Sequence, residues 1–336
     1  MNENIPPYAP IDLYLGDCDA SLTIMSHGKR FHIFFDPEDI QGPDGDEGLM
    51  QIFLSYKERM DDELNAMVEL EEWMLEPCVT FMNKLAPALP SSRPLSLAEY
   101  FNPETFILRL VRGENGLEAV RCPDDPSIIQ FITPKVALSD PIVSDAISKG
   151  VPCIKASQLV AIEGPDALGI HYDQVPRTVR TLEKESKYHF KRAFDRESLT
   201  RELEILLQLQ NISFPEALHV SKLGGLVMWD DELSIMGILV DYVDDSHVLD
   251  NAAKDASEHD REKWARQIHG IVNTLHNAGI VWGDVKPDNI LVDSKMDAWV
   301  IDFGGGHTEG WVDAELMETK EGDLQGLRNL DEFLKV

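Results

Sequence analysis

Apolar and polar positions alternate through residues 11–35 in three short runs, "IDLYLGD", "ASLTIM" and "RFHIFF", with turn-forming residues between them. A period of two predicts strands. The period changes over residues 58–85, where Met60, Leu64, Met67 and Leu70 or Glu71 follow a helical stripe that continues to Trp73, Met74 and Pro77. A Pro/Ser-rich connector, "APALPSSRPLS", follows at 86–96. Residues 104–121 read as a strand pair turning at "GENG". Further strands are expected in "CIKASQLVAIE" and "VPRTVRTLEKESKYHFKRAF". "DRESLTRELEILLQLQN" predicts a helix capped by Asp195. "LSIMGILVDYV" has the look of a buried strand. In a second helix, "DREKWARQIHGIVNTLHNAG", residues Trp264, Ile268, Ile271 and Leu275 share one face and Gly279 marks the stop. The pattern is α+β. A boundary near residue 150 divides an N-terminal α+β region, 1–150, from a second domain, 151–336.

Charge narrows the partners. The net charge is −30, so the surface repels phosphate backbones and anionic lipid heads, and neither nucleic acid nor a membrane surface is an expected partner. No apolar run approaches the roughly 20 residues needed to cross a bilayer. "MNENIPPYAP" lacks the basic and apolar regions of a secretory signal. The cysteines, Cys18, Cys78, Cys122 and Cys153, are widely spaced, which fits reduced thiols and an intracellular protein, cytoplasmic or nuclear. The acidic loop 36–48 does not have the ligand spacing of a calcium loop. His269 and His276 have no third partner for a metal site.

Candidate chemistry concentrates in "GIVWGDVKPDNILVD", residues 279–293, and "VIDFGGG", residues 300–306. Two carboxylates, a lysine and an asparagine beside apolar strands are the parts that phosphoryl transfer needs: a base, a cation and hard oxygen ligands for Mg²⁺. Asp284 is the candidate base, Lys286 the cation, and Asn289 and Asp302 the metal ligands.

Together these two segments resemble the eukaryotic protein kinase superfamily, the first its catalytic loop and the second its metal-binding loop. The resemblance covers roughly residues 155–336. It implies a two-lobed fold, with a β-rich N-lobe at 151–240, a hinge at 241–245 and a reduced helical C-lobe at 246–336. It implies ATP and Mg²⁺ as cofactors. It makes Lys191 the phosphate-binding lysine and Glu202 its partner, with Glu204 as rival on the same helix. Val240 would stand before the hinge, and Asp241 and Val243 would offer backbone groups to adenine, with Leu291 also against the nucleotide. Asp323 would be the buried aspartate that props the catalytic loop.

The resemblance also has gaps. Trp282 and Gly283 stand where the family has His-Arg, which implies activity without phosphorylation of the activation segment. No G-x-G-x-x-G precedes Lys191; "EGPDALG" lies in the region with the wrong spacing. The link from Lys191 to Glu202 is short. Three readings follow: a serine/threonine-type protein kinase acting on a protein hydroxyl, a pseudokinase scaffold, and a small-molecule kinase of the aminoglycoside or choline type.

Overall fold

The computed structural model describes residues 5–42, 48–60, 63, 65–88, 94–114, 116–125, 135–162, 176–183, 186–193, 195–212, 218–244 and 246–336. The chain forms two compact units: residues 1–133 with 157–179, and residues 134–156 with 180–336. The path therefore passes between the units three times, where the sequence reading draws a single boundary near 150.

In the first unit the strands β1 (Ala9–Leu15), β2 (Ala20–Ser26) and β3 (Lys29–Phe35) form an antiparallel meander. Among the described residues, five α-helices follow: α1 (Pro37–Ile40), α2 (Gly48–Arg59), α3 (Ala66–Leu75), α4 (Val79–Leu85) and α5 (Leu97–Phe101). They lead to β4 (Thr105–Gly113), which is parallel to β3, and β5 (Gly116–Arg121) closes the order β1-β2-β3-β4-β5. A parallel neighbour requires such a crossover. The helical stretch expected over 58–85 is broken into pieces. Pro77 sits in a 3₁₀ turn, Glu76–Cys78, between α3 and α4. Met67, expected on the buried stripe, is exposed, while Ala66, Leu70 and Met74 are buried.

One face of this sheet carries Leu22, Ile24, Phe31, Ile33, Phe35, Phe106 and Leu108, packed on Phe53, Leu70, Met74 and Met82 of the helices. On the other face Thr23 Oγ1 meets His32 Nδ1 at 2.8 Å, directly across the β2–β3 ladder. Arg30, on the same side of β3, donates to the carbonyls of Tyr100 (3.2 Å) and Phe101 (3.3 Å) at the end of α5.

The second unit begins with β6 (Val136–Ala137), α6 (Pro141–Ser148) and β7 (Cys153–Lys155). After the excursion through the first unit and its short strand β8 (Leu159–Ala161), β9 (Thr178–Thr181) straddles the division. Then come β10 (Lys187–Arg192), helix α7 (Arg196–Asn211), β11 (Leu223–Met228) and β12 (Ser234–Asp241). Within this unit the strand order is β7-β11-β12-β10. β7 runs parallel to β11, the other two pairings are antiparallel, and β6 pairs with the start of β12. α7 forms where the sequence predicts it: the Asp195 carboxylate accepts from the Glu197 and Ser198 amides, and Leu199, Leu203 and Leu206 face inward.

The rest is mainly helical. β13 (His247–Val248), α8 (Leu249–Ala252), α9 (Glu258–Asn277), β14 (Ile290–Val292), β15 (Ala298–Val300) and α10 (Lys320–Leu334) follow in order. α9 is capped by Ser257 and stops at Gly279, whose φ of +79° an L side chain rarely adopts. Trp264, Ile268, Leu275, Leu327 and Leu330 of α9 and α10 share one apolar core with Leu203 and Leu206 of α7. Trp282, Val285, Ile290 and Phe303, from the segments around Asp284 and Asp302, belong to the same core.

Candidate active site

Three elements meet at Lys191. It sits on β10 beside Ile238 of β12, so its position is set by the sheet ladder. Its ammonium donates to Glu202 Oε1 at 2.6 Å and to Asp302 Oδ1 at 2.8 Å. Glu202 is buried on the inner face of α7, whereas its rival Glu204 faces solvent. Burial alone would lower the Lys191 pKa, but the two carboxylates outweigh it and hold the ammonium charged. Burial and the nearby Asp302 raise the Glu202 carboxyl, and Lys191 offsets only part of that. Burial also acts to raise Asp302. Lys191 and the Gly304 amide, with Lys286 further off, overcome it and keep that carboxylate below its usual range.

A second cluster lies on the loop before β14. Asn289, buried, donates to both the carbonyl (2.9 Å) and Oδ2 (2.8 Å) of Asp284. Lys286 Nζ lies 2.8 Å from Asp284 Oδ2. Thr308 completes this group: its hydroxyl accepts from Lys286 (2.9 Å) and reaches Asp284 Oδ1 (3.3 Å). Sequence reasoning missed Thr308. The only signal for it was a hydroxyl residue shortly after the glycines of "DFGGGHT".

The loop is held from below by Asp323 of α10. Its carboxylate, almost fully buried, accepts from the amides of Trp282 (2.9 Å) and Gly283 (2.8 Å), and His276 Nε2 lies 2.7 Å away. This is the propping contact the sequence reading assigned to Asp323. Trp282, which looked like a departure, is buried and donates its indole N–H to the carbonyls of Ile301 (3.0 Å) and Asp302 (3.1 Å). Those bonds support Asp302 at φ +61°, in the left-handed region.

The oxygen donors suit a hard cation. Lys191 and the Gly304 amide both engage Oδ1 of Asp302, which leaves Oδ2 on the opposite side of the carboxylate. The Asn289 amide nitrogen is spent on Asp284, so its oxygen points elsewhere. One carboxylate and one amide oxygen, completed by phosphates and water, match the way Mg²⁺ is held at nucleotide sites.

The residues expected to contact adenine stand at the end of β12, just beyond it, and on β14. Asp241 ends β12, and its amide donates to the Lys222 carbonyl at 3.0 Å. The Val243 carbonyl accepts from Ser246 Oγ at 2.8 Å. Leu291 is half-buried in β14, between Val248 and Trp299. The "EGPDALG" stretch lies outside the described residues.

Residues 174–317 match the family model for the protein kinase domain. This chain carries a protein kinase-like domain. Similar proteins include calcium-dependent protein kinase 4 of Plasmodium falciparum, 30% identical over 123 residues, or 35% of this chain and 22% of that protein. The cell cycle protein kinase DBF2 of Candida albicans is 37% identical over 67 residues, 20% of this chain and 9% of its own. The serine/threonine-protein kinase PKH1 of Saccharomyces cerevisiae is 49% identical over 41 residues, 12% of this chain and 5% of its own. The aligned stretches thus cover at most about a fifth of these curated relatives. Of the described residues, no helix is long and apolar enough to cross a membrane.

Proposed function

We propose that this kinase-like domain transfers the γ-phosphoryl group of ATP to a serine or threonine hydroxyl of a protein. The observation that carries the reading is Lys191 bridging Glu202 and Asp302, three charged groups brought from a strand, a helix and a loop. A structural ion pair would need only one partner. A lysine held charged between two carboxylates beside a carboxylate-asparagine pair suits the handling of polyphosphate.

In this reading Lys191 holds the α- and β-phosphates and Glu202 fixes its direction. Mg²⁺ at Asp302 and Asn289 would neutralise phosphate charge. Asp284 orients the acceptor hydroxyl and takes its proton as the acceptor oxygen bonds to the γ-phosphorus. The bond from that phosphorus to the bridging oxygen breaks, and its electron pair leaves on ADP. Lys286 steadies the transferring group, and Thr308, bound to both Lys286 and Asp284, keeps the pair in register. The backbone of Asp241 and Val243, with Leu291, would receive the adenine.

The test is ATP binding by calorimetry with and without Mg²⁺, followed by radiolabel transfer to mixed protein acceptors and to small hydroxyl metabolites. Mg²⁺-dependent binding and protein labelling, both lost in Asp302→Asn and the labelling lost in Asp284→Asn, support the proposal. Labelling of metabolites alone replaces the acceptor with a small molecule. Binding indifferent to Mg²⁺, with no transfer, makes the domain a scaffold.

A further inference from the structure

We propose that Arg201 is a positioning residue, a clamp that fixes helix α7 against the catalytic and metal loops and so keeps the Lys191–Glu202 pair assembled. This rests on the phosphotransfer reading above but concerns a residue that reading does not use.

Arg201 directly precedes Glu202, so whatever fixes one fixes the other. Its guanidinium leaves α7 and reaches backbone carbonyls on two separate loops. Nη2 donates to Val281 (3.1 Å), and Nη1 donates to Trp282 (3.2 Å) and to Phe303. Nε lies 3.4 Å from Glu318 Oε2. The first two carbonyls enter the loop that carries Asp284, and the third follows Asp302. A single side chain thus ties the helix of Glu202 to the residues that lead into Asp284 and to the residue that follows Asp302. The planar fork suits this; a lysine ammonium would not span three carbonyls.

Two glycines are shaped around the clamp. Gly283 has φ +91°, and a Cβ there would collide with the guanidinium. Gly305 has φ +77°, and a Cβ there would strike Glu318 and crowd the Arg201 stem. Gly283 occupies the position where the sequence comparison expected an arginine. Here the cation beside that position is Arg201 of α7, and glycine leaves room for its guanidinium. The carbonyl side of the clamp is enclosed, with the Arg201 side chain only 17% exposed, while Glu318 is 40% exposed. The carbonyl bonds, not the solvent-facing ion pair, therefore carry most of the hold.

The consequence is that α7 is held by groups this chain supplies, without an added phosphate. Arg201→Met and Arg201→Lys would be compared with the wild type of the full chain. Three quantities would be read: melting, amide exchange along Leu199–Leu206, and Mg·ATP kinetics. With the clamp present as described, Arg201→Met exchanges α7 amides faster and loses about 100-fold in kcat, the scale expected when a catalytic group drifts by about an ångström. KM for ATP changes far less, since Lys191 and Asp302 remain. Arg201→Lys recovers little, although it keeps the charge. If Arg201→Met fails to fold, the smaller change to lysine carries the same comparison. Exchange and kcat within twofold of wild type in a folded variant would overturn the clamp. A wild type without turnover would sink the phosphotransfer reading instead, and exchange would still decide whether Arg201 holds the helix.

Discussion

Trp282 donates its indole N–H to the backbone oxygen of Asp302 at 3.1 Å, so a residue two positions before Asp284 supports Asp302, the proposed metal ligand, through the main chain. Replacing Trp282 by Phe keeps most of the apolar volume but removes the donor and part of the buried ring. The carbonyls of half-buried Ile301 and Asp302 then lose a donor, and with the lost packing the cost is about 1–3 kcal/mol. Urea unfolding should show that loss, and Mg²⁺-dependent ATP binding should weaken with it. A variant as stable as wild type would mean that the indole hydrogen bonds contribute nothing to stability.

Asp323 serves three donors with one carboxylate. Asp323→Ala strands the Trp282 and Gly283 amides and His276 in a dry site, and should cost about 3–5 kcal/mol in denaturant unfolding. Asp323→Asn keeps one acceptor oxygen and should lose less. Equal losses for the two variants would argue against the hydrogen bonds as the cause.

Lys191→Met removes the cation between Glu202 and Asp302. Two carboxylates then face each other, and Glu202, already raised by burial, takes up a proton more readily. ATP affinity by calorimetry should fall at least about tenfold, as expected for losing a charged phosphate contact. An unchanged affinity would remove Lys191 from the nucleotide site.

The first unit should show its own pH dependence. Burial, with the neighbouring Arg30 charge, lowers the His32 pKa to about 4. The unfolded chain takes its proton near pH 6.5 while the folded chain resists until about 4, so stability falls as pH drops through that window. Between pH 7 and 5 the loss is about 2 kcal/mol. In His32→Gln, which cannot titrate, the same pH change should cost correspondingly less in urea unfolding.

Much of this site was readable in advance because its parts are local. Asp284, Lys286 and Asn289 lie within one turn of loop, and their spacing alone brings them together. β1 to β3 were legible from short alternating runs between turn formers, although β2 and β3 are buried on both faces, and β12 was legible as an apolar run buried along its length. The helix of Glu202 was legible from its cap and stripe, and burial on that stripe separates Glu202 from Glu204. What escaped depends on side chains crossing between elements. Thr308 meets Asp284 only after the chain has looped back. Nothing in the order of residues says that Arg201 reaches Phe303. Trp282 looked like a loss because the reading asked which residue type was present, whereas the loop requires an N–H donor aimed at a carbonyl. The division near residue 150 followed local composition, but β6 and β7 take their partners from strands far along the chain.

Strand β7 also bears on the order in which the molecule is made. Cys153 pairs with Leu226 and Lys155 with Met228, in parallel. During synthesis β7 therefore emerges long before its neighbour exists, with its hydrogen-bonding edge open in the interval. Pairing must then close a loop that contains β10 and α7, a slow step of high contact order. A ribosome-bound chain that stops before residue 223 should lack this pairing, and protection of the β7 amides should appear only after β11 has emerged.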